Sequence, residues 1–121
     1  MAKIILLEDE KALGQIYQKK LEAAGHKVYF ITTPEEAQET AKKVKADVVI
    51  LDNGIKGRNE TGIDIAPSIR KTLPKSKIII LSNYNQCQFE EQALKAGVDA
   101  YLVKIDTPPP VLIAYLKKLL H

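Results

Sequence analysis

Val48-Val49-Ile50-Leu51-Asp52-Asn53-Gly54 runs four branched aliphatic residues into an acid and then a turn signal. A strand with one wet face alternates apolar and polar residues, so an unbroken apolar run of this length implies a strand covered on both faces. Ile4–Leu7, Val28–Ile31 and Ile78–Leu81 share that character, and a shorter run, Ala100–Val103, carries Tyr101. Segments of helical period lie between these runs. In the first, Ala12, Leu13, Ile16, Tyr17, Leu21 and Ala24 recur at three- and four-residue spacings before Gly25 supplies a stop. Thr33-Pro34-Glu35-Glu36 opens the second, with Thr33 as cap, Pro34 at the first helical position and Glu36 completing a capping box. The third helix is expected to start near Asp64 with Asp64 as its cap, which leaves Pro67 in the first turn, where no intrahelical donor is needed. The fourth is expected from about Gln86 to Ala96, with Gly97 as its stop. The fifth follows Pro108-Pro109-Pro110 and carries Val111, Leu112, Tyr115, Leu116, Leu119 and Leu120 on one broad face.

Five apolar strands, each followed by a helix, predict an α/β fold. Its sheet should be parallel and doubly wound, five strands in the flavodoxin-like order 2-1-3-4-5, with right-handed crossovers. At 121 residues the chain fits one domain, 1–121, and buries roughly 65% of its unfolded surface in one core. With 45% hydrophobic and 27% charged residues it has the composition of a globular protein. The single cysteine, Cys87, excludes an internal disulfide and fits a reducing compartment. No apolar run approaches the ~20 residues of a membrane span, and Met1-Ala2-Lys3 leads directly into a strand, so the expected location is cytoplasmic. The net charge of +3 is spread over separated pairs such as Lys19-Lys20, Lys42-Lys43 and Lys117-Lys118, and aromatic residues are only 6%. Direct nucleic-acid binding would need a clustered basic face, so it is not expected.

In a sheet of this order, ligands bind outside the carboxyl ends of the strands, where strands one and three part. Glu8, Asp9 and Glu10 follow strand one, Asp52 ends strand three, Ser82 ends strand four and Lys104 ends strand five. Acids at the start of a helix can simply serve its dipole, Asp52-Asn53-Gly54 can be a tight turn, and a serine after a strand is common. Together they place carboxylates, a hydroxyl and an ammonium on one sheet edge. Crowded carboxylates favour a hard cation, and magnesium suits one or two of them together with waters and phosphate oxygens. Phosphoryl transfer requires compensation of charge on three oxygens, which a metal, Lys104 and Ser82 can share. An ionised carboxylate attacks phosphorus without a general base, so Asp52 would become an aspartyl phosphate.

This set resembles the receiver domain of bacterial two-component response regulators, over essentially the whole chain. The resemblance rests on Glu8-Asp9 after strand one, Asp52 closing Val48–Leu51, Ser82 after Ile78–Leu81 and Lys104 after Tyr101-Leu102-Val103, with 30 positions between Asp52 and Ser82 and 22 between Ser82 and Lys104. It implies Asp52 as phosphoacceptor, with Asp9, Asp52 and the backbone carbonyl of Gly54 on Mg2+ and Glu8 acting mainly through a water. It further implies that Lys104 pairs with the phosphoryl group, that Ser82 swings toward it, and that Tyr101 turns inward. The switched surface would be helix four, strand five and helix five. The implied partners are a sensor histidine kinase or histidine phosphotransfer protein and, through that surface, a second copy in a phosphorylation-linked homodimer.

The chain departs from the family in places. Ile105 follows Lys104 where a proline in a cis bond is usual, which predicts a trans bond and a differently shaped loop. Asn53-Gly54-Ile55-Lys56-Gly57 replaces a run ending in proline-glycine, and the loop to Gly62 is about two residues longer. Asn83 stands where a small residue is usual, and Gly54 and Tyr84 occupy positions that influence hydrolysis of the aspartyl phosphate. Two other functions compete. A pseudo-receiver would keep the fold as an interaction module without using Asp52. A metal-dependent phosphatase would need its nucleophile among paired aspartates after strand one, and a nucleotide enzyme a glycine-rich cradle there; neither is present.

Overall fold

The computed structural model describes residues 2–53, 62–83 and 87–120. Its elements run β1 (Lys3–Leu7), α1 (Lys11–Ala23), β2 (Lys27–Ile31), α2 (Pro34–Lys43), β3 (Val48–Asn53), α3 (Gly62–Thr72), β4 (Lys77–Ser82), α4 (Cys87–Lys95), β5 (Ala100–Val103), a single 3-10 turn (Lys104–Asp106) and α5 (Pro109–Leu119). All strand pairs are parallel and the sheet order is β2-β1-β3-β4-β5, as the sequence predicts.

Strand alternation sorts the core into two layers. On one face Ile5, Leu7, Val49, Leu51, Ile78 and Ile80 pack against Ala37 and Ala41 of α2, Ile65, Ala66 and Ile69 of α3 and Ala93 of α4. On the other, Ile4, Leu6, Val48, Ile50, Ile79, Leu81 and Ala100 meet Tyr17 and Leu21 of α1 and Leu112 and Leu116 of α5. Each of these leucines is fully buried and contributes about 2 kcal/mol of apolar burial, so the paired helices hold the second layer closed. The face of α1 differs from the one its periodicity predicts. Ile16 is 50% exposed and Ala12 and Ala24 are exposed, while Gly14 is buried under the Phe30 ring. Periodicity scores a glycine as neutral, yet its missing side chain lets α1 settle onto β2, which turns Ile16 outward.

Helix ends follow local chemistry. The Glu36 N–H donates to Thr33 Oγ1 at 3.2 Å, and the Thr33 hydroxyl in turn donates to Glu36 Oε1, so the capping box forms through the hydroxyl. Gly25 and Gly97 both have positive φ, 95° and 91°, a conformation that ends a helix at little cost only for glycine. Helix α3 corrects the expected start. It begins at Gly62 rather than at Asp64, so Asp64 lies within its first turn and Pro67 falls inside the helix. The reason is close approach: a Cβ on Gly62 would stand 2.6 Å from the Asp52 carbonyl oxygen and 3.0 Å from Leu51 Cβ. Packing of Ile65, Ala66 and Ile69 then outweighs the hydrogen bond Pro67 cannot make. Gly62→Ala is expected to cost about 1–3 kcal/mol by overpacking against rigid backbone, read as a lowered midpoint in thermal unfolding. An unchanged midpoint would refute that account.

The opposite end of the sheet is tied by Arg70. Its guanidinium donates to the Gly97 carbonyl from Nε (3.2 Å) and Nη2 (3.1 Å), and to the carbonyls of Pro74 (3.2 Å) and Ser76. It also reaches Asp99 Oδ2 at 2.7 Å, and that oxygen accepts from the Ile78 N–H at 2.8 Å.

Candidate functional site

Register and alternation bring the predicted residues together. Leu7 pairs with Leu51, which sets Glu8, one residue beyond β1, level with Asp52. Asn53, Ser82 and Val103 align across β3, β4 and β5, which places Lys104 one step past the same edge. Ile4 and Leu6 lead by alternation to Glu8, Val48 and Ile50 to Asp52, and Ala100 lies two pairs before Lys104. Acid, acid and ammonium therefore emerge on the α1/α5 face. Ser82 and Tyr101 share parity with Ile78 and Ile80 and belong to the opposite face.

Lys104 Nζ lies 2.7 Å from Glu8 Oε1 and 2.9 Å from Asp52 Oδ1. Glu8 and Asp52 are each 2% exposed, and Ser82 is fully buried. Glu8 Oε2 accepts the Glu10 N–H at 3.1 Å, which fixes the carboxylate just before α1. Asp9 is half-buried, and one carboxylate oxygen from each of Glu8, Asp9 and Asp52 lies within 4.8 Å of the others. Three carboxylates facing one ammonium leave two negative charges when all are ionised. Burial accordingly pushes the Asp52 carboxyl from 3.8 up to about 7, with Lys104 pulling it down and Glu8 and Asp9 adding to the rise. Burial works against the charge on Lys104, but Glu8 and Asp52 outweigh it and hold its pKa above the usual value.

The residues fit a divalent cation. Asp52 Oδ1 is buried and meets Lys104 as an ion pair, without the geometry of a directed hydrogen bond, so a lone pair remains for a hard ligand. The two surplus negative charges match a divalent ion. Glu8 is engaged directly by Lys104, a contact that sequence reasoning did not anticipate. Gly54, Tyr84 and the loop from 54 to 61 lie outside the described residues. Asn53, just before that loop, is 4% exposed and its Oδ1 accepts the Ile63 N–H at 3.4 Å. Asn83 is exposed. Among the described residues no peptide bond is cis; Lys104–Ile105 is trans, as expected, and the following backbone forms the 3-10 turn.

The sequence model of the response regulator receiver domain matches residues 4–116. The chain belongs to the receiver domain family. Among relatives of this receiver, the chemotaxis protein CheY of Thermotoga maritima is 34% identical over 119 residues, 97% of this chain and 98% of that protein. The transcriptional regulatory protein CitT of Bacillus subtilis is 31% identical over 98% of this chain. The receiver spans 54% of CitT and 26% of the alginate regulator AlgB of Pseudomonas aeruginosa, to which it is 25% identical. A two-component response regulator from Clostridium difficile superposes with a TM-score of 0.91 at 25% identity, covering 99% of this chain and 96% of that one. The BeF3-activated DrrB receiver domain gives 0.86 at 27%, over 99% and 97%. Among the described residues, no helix of the receiver is long and apolar enough to cross a membrane.

Proposed function

We propose that this receiver takes a phosphoryl group from phosphohistidine onto Asp52 in the cytoplasm. The phosphodonor would be a sensor histidine kinase or a histidine phosphotransfer protein. The observation that carries the reading is the meeting of buried Asp52 with Lys104 at 2.9 Å beside Glu8 and Asp9. An Asp52 carboxylate oxygen attacks phosphorus, the P–N bond breaks, and the departing imidazole keeps the electron pair and is protonated. Lys104 exchanges part of its contact with Asp52 for a phosphoryl oxygen. Glu8, Asp9 and Asp52, with the Gly54 carbonyl, would hold Mg2+, which supplies charge compensation for the transferring group. The receiver would catalyse at most its own phosphorylation and dephosphorylation.

Ser82 and Tyr101 provide the route outward. Both lie on the α3/α4 side of the sheet, Ser82 fully buried at the strand end and Tyr101 half-buried against that layer. Ser82 would turn toward the phosphoryl oxygen and Tyr101 would follow, a population shift between two packings biased by one new charged group. The readout surface is α4, β5 and α5, where Leu94 (55%) and Val111 (48%) expose apolar area suited to a partner or a second copy.

Intact mass after incubation with acetyl phosphate and Mg2+ tests the reading. One phosphoryl adduct is expected on wild type, none on Asp52→Asn, and none after chelation of the metal. No adduct from acetyl phosphate or from a phosphohistidine donor would reject it in favour of an interaction module that leaves Asp52 unused.

A further inference from the structure

The segment after Lys104 has little to hold it. Ile105 is 87% exposed, Asp106 and Pro108 are exposed, and Thr107, at 4%, is the buried exception. Three hydrogen bonds converge on Thr107. Its hydroxyl donates to the Val103 carbonyl at 2.7 Å and its N–H donates to the Lys104 carbonyl at 3.0 Å, so the two bonds bracket Lys104. Its own carbonyl accepts from the Tyr17 hydroxyl at 2.8 Å, across 90 positions of chain.

Tyr17 is 3% exposed and set among Leu21, Leu112 and Leu116. A buried phenol takes a partner, and this one satisfies a backbone carbonyl next to a turn whose other two residues, Ile105 and Asp106, are exposed. The Tyr17 hydroxyl reaches the backbone three residues past Lys104, at the carboxyl edge of the sheet where the site lies. Helix α1 begins just after Glu8 and Asp9, so the same rigid element that carries Tyr17 also fixes the acid pair.

We infer that Tyr17 is a positioning residue for Lys104: through Thr107 it ties the 3-10 turn to α1 and so sets where the ammonium stands against Glu8 and Asp52. Without that tie Lys104 keeps its charge but loses its fixed origin, while its partners stay in place. The effect on phosphoryl transfer rests on the function proposed above; the effect on Lys104 does not. Because misplacement of a charge by an ångström can cost about a hundredfold, the removal of one tether is expected to slow phosphoryl uptake by roughly tenfold.

Tyr17→Phe keeps the ring and removes the hydroxyl. Thr107→Val keeps the shape and removes the hydroxyl bond to Val103, and Thr107→Ser restores it. The first readout is the 15Nζ resonance of Lys104 in metal-free protein, and the second is the rate of adduct formation with acetyl phosphate. Tyr17→Phe and Thr107→Val should each shift or broaden the Lys104 signal and slow the adduct, Thr107→Ser should resemble wild type, and unchanged far-ultraviolet circular dichroism would establish folding. A Lys104 signal identical to wild type in folded Tyr17→Phe would overturn the inference, whatever the adduct rate. A moved signal in a protein that, even as wild type, forms no adduct with acetyl phosphate or with a phosphohistidine donor would uphold the positioning role and reject the phosphoacceptor reading.

Discussion

Lys104→Met should destabilise the metal-free protein by about 3 kcal/mol at pH 8, because it leaves two buried carboxylates without their counter-charge. The methionine fills much of the lysine stem's volume, so the loss reports charge rather than cavity. At pH 5 the loss should be clearly smaller. Asp52, with its pKa near 7, already carries a proton there in the wild type, and only Glu8 loses its partner. Chemical denaturation at the two pH values separates these cases. Equal losses at both would mean that Lys104 contributes packing alone. Added Mg2+ should recover part of the loss at pH 8, since a cation takes over the role of the missing ammonium.

The second large effect concerns Asp52 itself. Its carboxyl titrates at 3.8 when unperturbed and at about 7 in the fold. Between those values the native state holds a proton that the unfolded chain has released, so the contribution of Asp52 to stability is full below pH 3.8 and is lost as pH rises toward 7. Each unit of difference is 1.36 kcal/mol, so the total fall is of order 4 kcal/mol. Asp52→Asn should remove that slope and leave the metal-free protein more stable than wild type at pH 8. Proton and metal compete for the same carboxylate, so apparent Mg2+ affinity should climb by roughly tenfold from pH 5.5 to 7.5 and flatten once Asp52 is ionised. Calorimetric titration across that range checks it. A flat affinity would mean that Asp52 is already ionised, or that the metal does not contact it.

The sheet was legible because each strand is apolar on both faces, and that pattern excludes the half-wet alternatives. Alternation then carried the site: once the strands are parallel and in order, Glu8, Asp52 and Lys104 must share an edge. Two positions were not legible. Gly62 reads as loop, and only the nearness of the Asp52 carbonyl shows why α3 can start there and why Pro67 is carried inside it. Gly14 likewise carries no hydrophobic signal, so the rotation of α1 that turns Ile16 outward could not be seen in its spacing. Tyr17 reads as an ordinary core residue, and no local pattern links its hydroxyl to a carbonyl 90 positions away. The pairing of Glu8 with Lys104 was hidden for a different reason. The choice between water and lysine as its partner depends on side-chain reach and burial, and composition at a strand end fixes neither.

The Arg70 clamp has a mechanical consequence. It grips the Gly97 carbonyl, two residues past the last residue of α4, and ties it to the end of α3 and to Asp99. A rod anchored at one end swings with its largest amplitude at the other. Helix α4 follows Ser82 at the carboxyl edge of the sheet, so its unclamped end is the one nearer the acids and its clamped end lies at the opposite edge. In the proposed switch, a change in charge at the site would act on α4 at its longest lever arm, with the Arg70 clamp as the fixed end.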